Sequence, residues 1–287
     1  MKNSSYLAVL LLLASAACHS DAPATEPAAP KVAPPAASVP APEQAAPPAD
    51  SVPAPKPSTA TAASPAPPSL ADTLHLPGGR VVQLRPTTAE AFNQLPTSGL
   101  QEISLDPEGE RIEPIPFSGG PIHRHGLDLL LQPAQGSVVK LSSTPDAEFT
   151  LQNGNGVKFI YWGNLATAHQ WVVQALYWEE GGIVLVDQRT GRNIELTGDP
   201  VASPDGRFVF LTSFGLGGGD QPNLVSLVQI EAAGPRLLWQ RAPETWAPVA
   251  ARWAGPSRVI IERRHTLADG SMTDDAPVTY DELDVSR

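Results

Sequence analysis

From about residue 72 onward, short apolar runs alternate with turns marked by glycine or proline, and one hairpin pattern recurs four times. The copies are LHLPGGRVVQL ending at Leu84, LLQPAQGSVVKL at Leu141, LVDQRTGRNIEL at Leu196 and VQIEAAGPRLLW at Trp239. Each leads a strand into a tight turn closed by glycine and sends an apolar strand out. The glycines Gly79, Gly136, Gly191 and Gly234 are spaced 57, 55 and 43 residues apart. Such loops commonly need a residue at positive φ, which glycine adopts at little cost. A second element places a Pro-acid pair at a turn before a strand, in LDPEGERIEPI (Leu105–Ile115), STPDAEFTL (Ser143–Leu151) and ASPDGRFVFL (Ala202–Leu211). WAGPSRVIIE (Trp253–Glu262) does the same with Gly-Pro. Near the end, VTYDELDV (Val278–Val285) alternates as a half-buried strand does. It is expected to complete a sheet begun by the first hairpin, near Arg80 to Leu84. One short helix is predicted at TTAEAFNQL, where Thr87 and Glu90 have the spacing of a capping box.

Units of this length, built from short strands and regular turns, are the pattern of propeller blades. The expected fold is therefore all-β, a propeller-like array of four or five antiparallel blades over residues 72–287, with an open stack of antiparallel sheets as the alternative. Two segments, SPDGRFVFLTS and DQRTGRNIEL, resemble the WD40-like blades of bacterial TolB-type propellers. Ser203, Pro204, Asp205 and Gly206 match the strand entry of those blades, and Asp187, Thr190 and Gly191 match the hairpin tip. The resemblance covers about Val184 to Ser213. It implies a β-propeller and a tendency to bind other proteins, and it brings no binding site with it.

The first 71 residues follow different rules. Lys2, the apolar run Tyr6–Leu13 and the small residues leading to Cys18 read as an export signal. The apolar run is shorter than the roughly 20 residues a membrane span needs. Ala14-Ser15-Ala16 offers an ordinary cleavage site. The whole of residues 1–18 also resembles a bacterial lipoprotein signal, which implies lipidation of Cys18, although Ser15 stands where such signals usually carry leucine. Cys18 is the chain's single cysteine, so no internal disulfide can form. Residues 19–71 are dominated by Ala, Pro, Ser and Thr and hold 15 of the 32 prolines. So much proline rules out helix and sheet, and there is little apolar surface to bury, so a disordered tether is expected. Extended, it would reach roughly 150 Å.

Over residues 72–287, 16 Lys and Arg face 26 Asp and Glu, a net charge of −10. An acidic domain without a basic stripe argues against nucleic acid as a partner. The acyl-transfer motif G-x-S-x-G is absent. Ser137 and Lys140 spell S-x-x-K but fall in a predicted strand, where residues three apart face opposite ways. His123 and His125 would share a strand face near Asp128, but the further candidates His169 and His265 lie far off in sequence, so no metal is expected. The glycine loop Gly215–Asn223 lacks the Lys of a phosphate loop. The acidic segment Asp269–Asp284 lacks the spacing of a calcium loop. No cofactor is expected.

All six tryptophans fall between Trp162 and Trp253. In FIYWG and ALYWEE, adjacent aromatic residues put one ring on each strand face, so one of each pair is free for a ligand or partner. Trp162, Trp178 and Trp246 are the candidate binding residues. The expected protein is exported, lipid-anchored and monomeric, facing the periplasm or exterior of a bacterial cell envelope. Its expected role is non-catalytic: binding or scaffolding envelope proteins, with the membrane reached through the N-terminal lipid. One alternative is a hydrolase of polysaccharide or peptide using Asp187, Asp205 and Asp220, and another is a structural domain without a ligand.

Overall fold

Three of the four glycine hairpins are present in a computed structural model of the chain. Gly136, Gly191 and Gly234 all sit at positive φ, at 90°, 72° and 124°. The structure describes residues 73–76, 81–101, 113–115, 120–150, 154–178, 180–215, 221–267, 270–273 and 275–285. All belong to the unit Ser64–Arg287. The export segment with Cys18, residues 19–71, Gly79 and most of Leu105–Ile115 lie outside the described residues.

The described residues form an all-β fold, with five antiparallel sheets of two to four strands among them. β1 (Thr73–His75) and β2 (Val81–Gln83) form a small ribbon, followed by β3 (Arg85–Thr87) and the helix α1 (Ala89–Asn93). β4 (Ile122–His125), β5 (Asp128–Leu131) and β6 (Val139–Ser142) make a three-stranded meander. β7 (Lys158–Leu165), β8 (Gln170–Leu176), β9 (Gly181–Asp187) and β10 (Asn193–Leu196) make a four-stranded one. β11 (Asp199–Ala202), β12 (Phe208–Ser213), β13 (Leu224–Glu231) and β14 (Gly234–Arg241) repeat that arrangement. The last sheet holds β15 (Trp246–Trp253), β16 (Arg258–His265) and β17 (Val278–Asp284), with β3 as its fourth strand.

Sheets pack on one another in chain order because successive side chains leave a strand on opposite faces. In β8, Trp171, Val173 and Ala175 enter a core shared with Ile122, Leu129 and Leu131 of the preceding sheet. Val172 enters another core with Val209 and Leu211 of the following sheet. Phe210, between those two, turns to a third core with Trp239, Trp253 and Ile261. Leu74, Leu76 and Val82 from the first ribbon and its exit also belong to that third core.

Of five sequence expectations, two are met and three meet the structure differently. The turn at Ser203–Gly206 joins β11 to β12, and the Gly-Pro turn joins β15 to β16, as expected. STPDAEFTL forms its turn, with the N–H groups of Glu148 and Phe149 donating to the Pro145 carbonyl at 2.9 and 3.0 Å, but among the described residues no strand follows until Lys158. The helix is capped by Thr88, whose hydroxyl accepts from the Ala91 N–H at 3.2 Å. Thr87 instead pairs with Tyr280, so Glu90 lies in the first turn one place short of the capping-box position. The terminal strand pairs with β3 rather than with the first hairpin.

Candidate functional site

Strands β7, β11 and β15 each lie at the edge of their sheet, and their side chains meet at a cleft. A cavity of about 200 Å³ is lined by Trp162 from β7, Asp199 to Val201 from β11 and Val249 to Arg252 from β15, with Thr97 and Ser98. A cavity of about 330 Å³ adjoins it, reaching Gln174, Gly182, Phe214 and Gln221. Trp162, Asp199 and Thr212 line both.

Local backbone irregularities aim these residues. Tyr161 pairs with Val173 and Gly163 with Val172, leaving Trp162 as the extra residue of a β-bulge. A bulge re-aims the side chain it carries. Tyr161 enters the core, whereas the Trp162 indole N–H donates to the Gln101 carbonyl at 2.9 Å and its ring walls the cleft. Asp199 follows Gly198, which sits at φ 111° with its backbone against Thr212. A Cβ at residue 198 would lie 2.5 Å from the Thr212 carbonyl oxygen. Only glycine lets the chain enter β11 so close to β12, where Asp199 pairs with Thr212.

Among the described residues, the Asp199 carboxylate has no hydrogen-bond or ion-pair partner, and neither has the Thr212 hydroxyl. Asp199 keeps access to solvent through the cleft, yet the surrounding protein pushes its carboxyl up from the ordinary aspartate range. Arg252 lines the smaller cavity without neutralising it. Its guanidinium donates to the carbonyls of Phe92, Asn93 and Leu95 at 3.2, 3.3 and 3.2 Å and lies 4.4 Å over the Phe92 ring. Ser213 is likewise committed, donating to the Pro222 carbonyl at 2.7 Å. The Gln221 amide bridges both backbone groups of Gly181, donating to its carbonyl at 3.1 Å and accepting from its N–H at 2.6 Å. Phe214 is 41% exposed at the rim.

The three candidate tryptophans do not form one patch. Trp162 is at the cleft. Trp178 is 47% exposed, lies beyond the end of β8 and packs at a tilt on Phe149 with ring centroids 5.7 Å apart, lining neither cavity. Trp246 is buried rather than exposed, because the Arg263 guanidinium lies 4.9 Å over its ring and the third core encloses the rest. Cys18 is outside the described residues.

Asp187 and Asp205 are occupied by their own turns. Asp187 accepts from the backbone N–H groups of Arg189 and Thr190 at 2.9 and 3.0 Å and from Gln170 Nε2 at 3.0 Å. Burial pushes its carboxyl up, but the bonds from Arg189, Gln170 and the backbone outweigh burial and hold it low. Asp205 accepts from Ser203 Oγ at 2.8 Å and from the Arg207 N–H at 3.2 Å. Asp220 and most of the glycine loop lie outside the described residues. Asp199 is the single acid lining either cavity among the described residues, whereas glycoside hydrolysis needs two facing carboxylates. His123 and His125 are exposed on β4, and Asp128 accepts from Lys140 Nζ and Ser142 Oγ at 2.7 Å each. No group of three potential metal ligands occurs among the described residues. None of their helices is long and apolar enough to cross a membrane.

Sequence reasoning missed Asp199 and Thr212. The available signal was position: Thr197 to Asp199 links two sheets, and such links open onto the sheet ends. Comparison with family models, curated proteins and solved structures finds no match to this chain.

Proposed function

We propose that this chain is an exported, lipid-anchored and non-catalytic binding protein of the bacterial cell envelope. Cys18 carries the lipid, residues 19–71 form the tether, and the β domain presents its cleft to an envelope partner. The observation that carries the binding reading is the pair of adjoining cavities with Trp162, Asp199 and Thr212 in their shared wall. Together they reach the lower end of the roughly 300–1,000 Å³ typical of ligand sites. Reading the domain as a propeller-like array of four or five blades is supported by sheets that pack in chain order and by the early strand β3 sharing a sheet with the last strand, β17. The SPDG and DxxTG elements add a resemblance of fold, not of site.

Two measurements test this. Mass spectrometry of the mature N-terminus is expected to show a diacyl or triacyl mass on Cys18, lost in Cys18→Ala. An unmodified chain starting at Ala17 would remove the anchor. Photo-crosslinking in intact cells, with benzoylphenylalanine at Phe214, is expected to trap a discrete envelope polypeptide. A crosslink obtained only from Trp178 would move the binding surface away from the cleft.

A further inference from the structure

We propose that the cleft accepts an organic cation, a protonated amine or guanidinium on an apolar stem, with Asp199 as counter-charge and the Trp162 ring as wall. This rests on the binding reading above and names the chemistry of the ligand. Asp199 is exposed in the wall shared by both cavities, so its charge is open to a ligand that enters them. Asp199 has no partner among the described residues, and Arg252 in the wall of the smaller cavity turns its Nη1 to three carbonyls instead. The domain's net charge of −10 draws cations toward the cleft and disfavours anions.

The other groups narrow the class. A metal ion would need further charged or imidazole ligands, and no group of three occurs among the described residues. A neutral ligand would leave the carboxylate uncompensated. An amine or guanidinium can bond to Asp199 and to the free Thr212 hydroxyl and can lie against an aromatic face, the geometry of cation–π attraction. The Trp162 ring is held for that purpose by its bond to the Gln101 carbonyl. Phe214 at the rim offers apolar surface to the stem. Burial raises the Asp199 carboxyl pKa, so a bound cation would lower it again and affinity would fall as the medium is acidified through that value.

The test titrates the full chain with butylguanidinium, with an acetyl-arginine-amide tripeptide and with the same tripeptide carrying citrulline, the uncharged isostere. Binding is followed by the NMR signal of the Trp162 indole N–H. The charged probes are expected to saturate that signal and the citrulline peptide to bind at least ~10-fold more weakly, a difference of about 1.4 kcal/mol. In Asp199→Asn the charged and uncharged peptides should bind alike. A peptide tighter than butylguanidinium assigns the cation to a polypeptide side chain, and equal affinity assigns it to a free amine. Equal binding of arginine and citrulline peptides to the wild-type chain would overturn the proposal, and that comparison does not depend on how the variant folds. So would the absence of saturation up to about 20 mM. If the cations fail while Phe214 still crosslinks an envelope polypeptide, the binding reading survives without the cation.

Discussion

Arg263 and Asp281 form an ion pair inside the sheet that joins β3 to β15–β17. Both residues are almost fully buried, at 5% and 3% exposure. Arg263 Nε and Nη2 donate to Asp281 Oδ2 at 2.8 and 2.5 Å, and the Thr279 hydroxyl donates to the same oxygen at 3.2 Å. Asp281 pairs across the ladder with Ile261 on one side and Pro86 on the other. In Asp281→Leu, the guanidinium stays buried above Trp246 with its main counter-charge gone. Breaking one partner of such a pair costs about 3–5 kcal/mol, whereas replacing both with apolar side chains costs little or nothing. Arg263 has bonding beyond this pair, which places the expected loss near ~3 kcal/mol. For a domain of this size each kcal/mol moves the melting temperature by about 2–4 °C, so a fall of about 6–12 °C is expected. Urea denaturation followed by tryptophan fluorescence gives the free energy. The double variant Arg263→Met/Asp281→Leu should recover most of the loss. A single variant losing under ~1 kcal/mol, or a double variant losing the sum of both singles, would refute the claim that the pair acts as a unit.

Two further outcomes follow from backbone contact and from charge. A Cβ at Gly206 (φ 71°) would fall 1.9 Å from the Thr167 carbonyl oxygen, so Gly206→Ala should cost at least ~2 kcal/mol. Gly255, with nothing within 4 Å of its added Cβ, should tolerate alanine within ~0.5 kcal/mol in the same denaturation assay. Burial raises the folded-state pKa of Asp199, so ionising it costs stability above that value, and the cost vanishes as pH falls toward the unfolded value near ~3.9. Asp199→Asn should therefore melt higher than wild type at about pH 8 and no differently at about pH 3. An equal gain at both would show that burial of its charge is not the cause.

The hairpins were legible because their determinants are local. Asp187 bonds to the backbone two and three residues on, and Gly191 supplies the left-handed residue that closes the turn. What depended on distant partners was not legible. Thr87 and Thr88 are equally good caps by composition, and the choice is made by β17, which takes Thr87 into the ladder opposite Tyr280. Phe149 reads as a strand residue, but it packs on Trp178 and carries Lys158 over its ring at 5.5 Å, contacts that suit a folded-back turn. The tryptophans show the same limit. Alternation separates Tyr161 from Trp162, but the bulge that turns Trp162 to the cleft leaves no mark in the residue pattern. Trp246 looked free until Arg263, on the neighbouring strand, was placed over its ring.

How its acids are partnered distinguishes the cleft from the rest of the domain. Asp281 is neutralised by an arginine, and Asp187 by an arginine, a glutamine and two backbone N–H groups. Asp205 and Asp128 each have a cation and a hydroxyl. These acids agree with the fold at every level, as a sequence specifying one structure should. Asp199 has no such partner among the described residues, and it stands where Gly198 brings its backbone against Thr212. An unpartnered carboxylate facing a cavity that Trp162 also lines is placed to meet a ligand. Substituting Asp187 or Asp281 should therefore weaken the fold, whereas neutralising Asp199 should strengthen it and abolish discrimination between charged and uncharged ligands. That opposite sign separates a site from a scaffold residue.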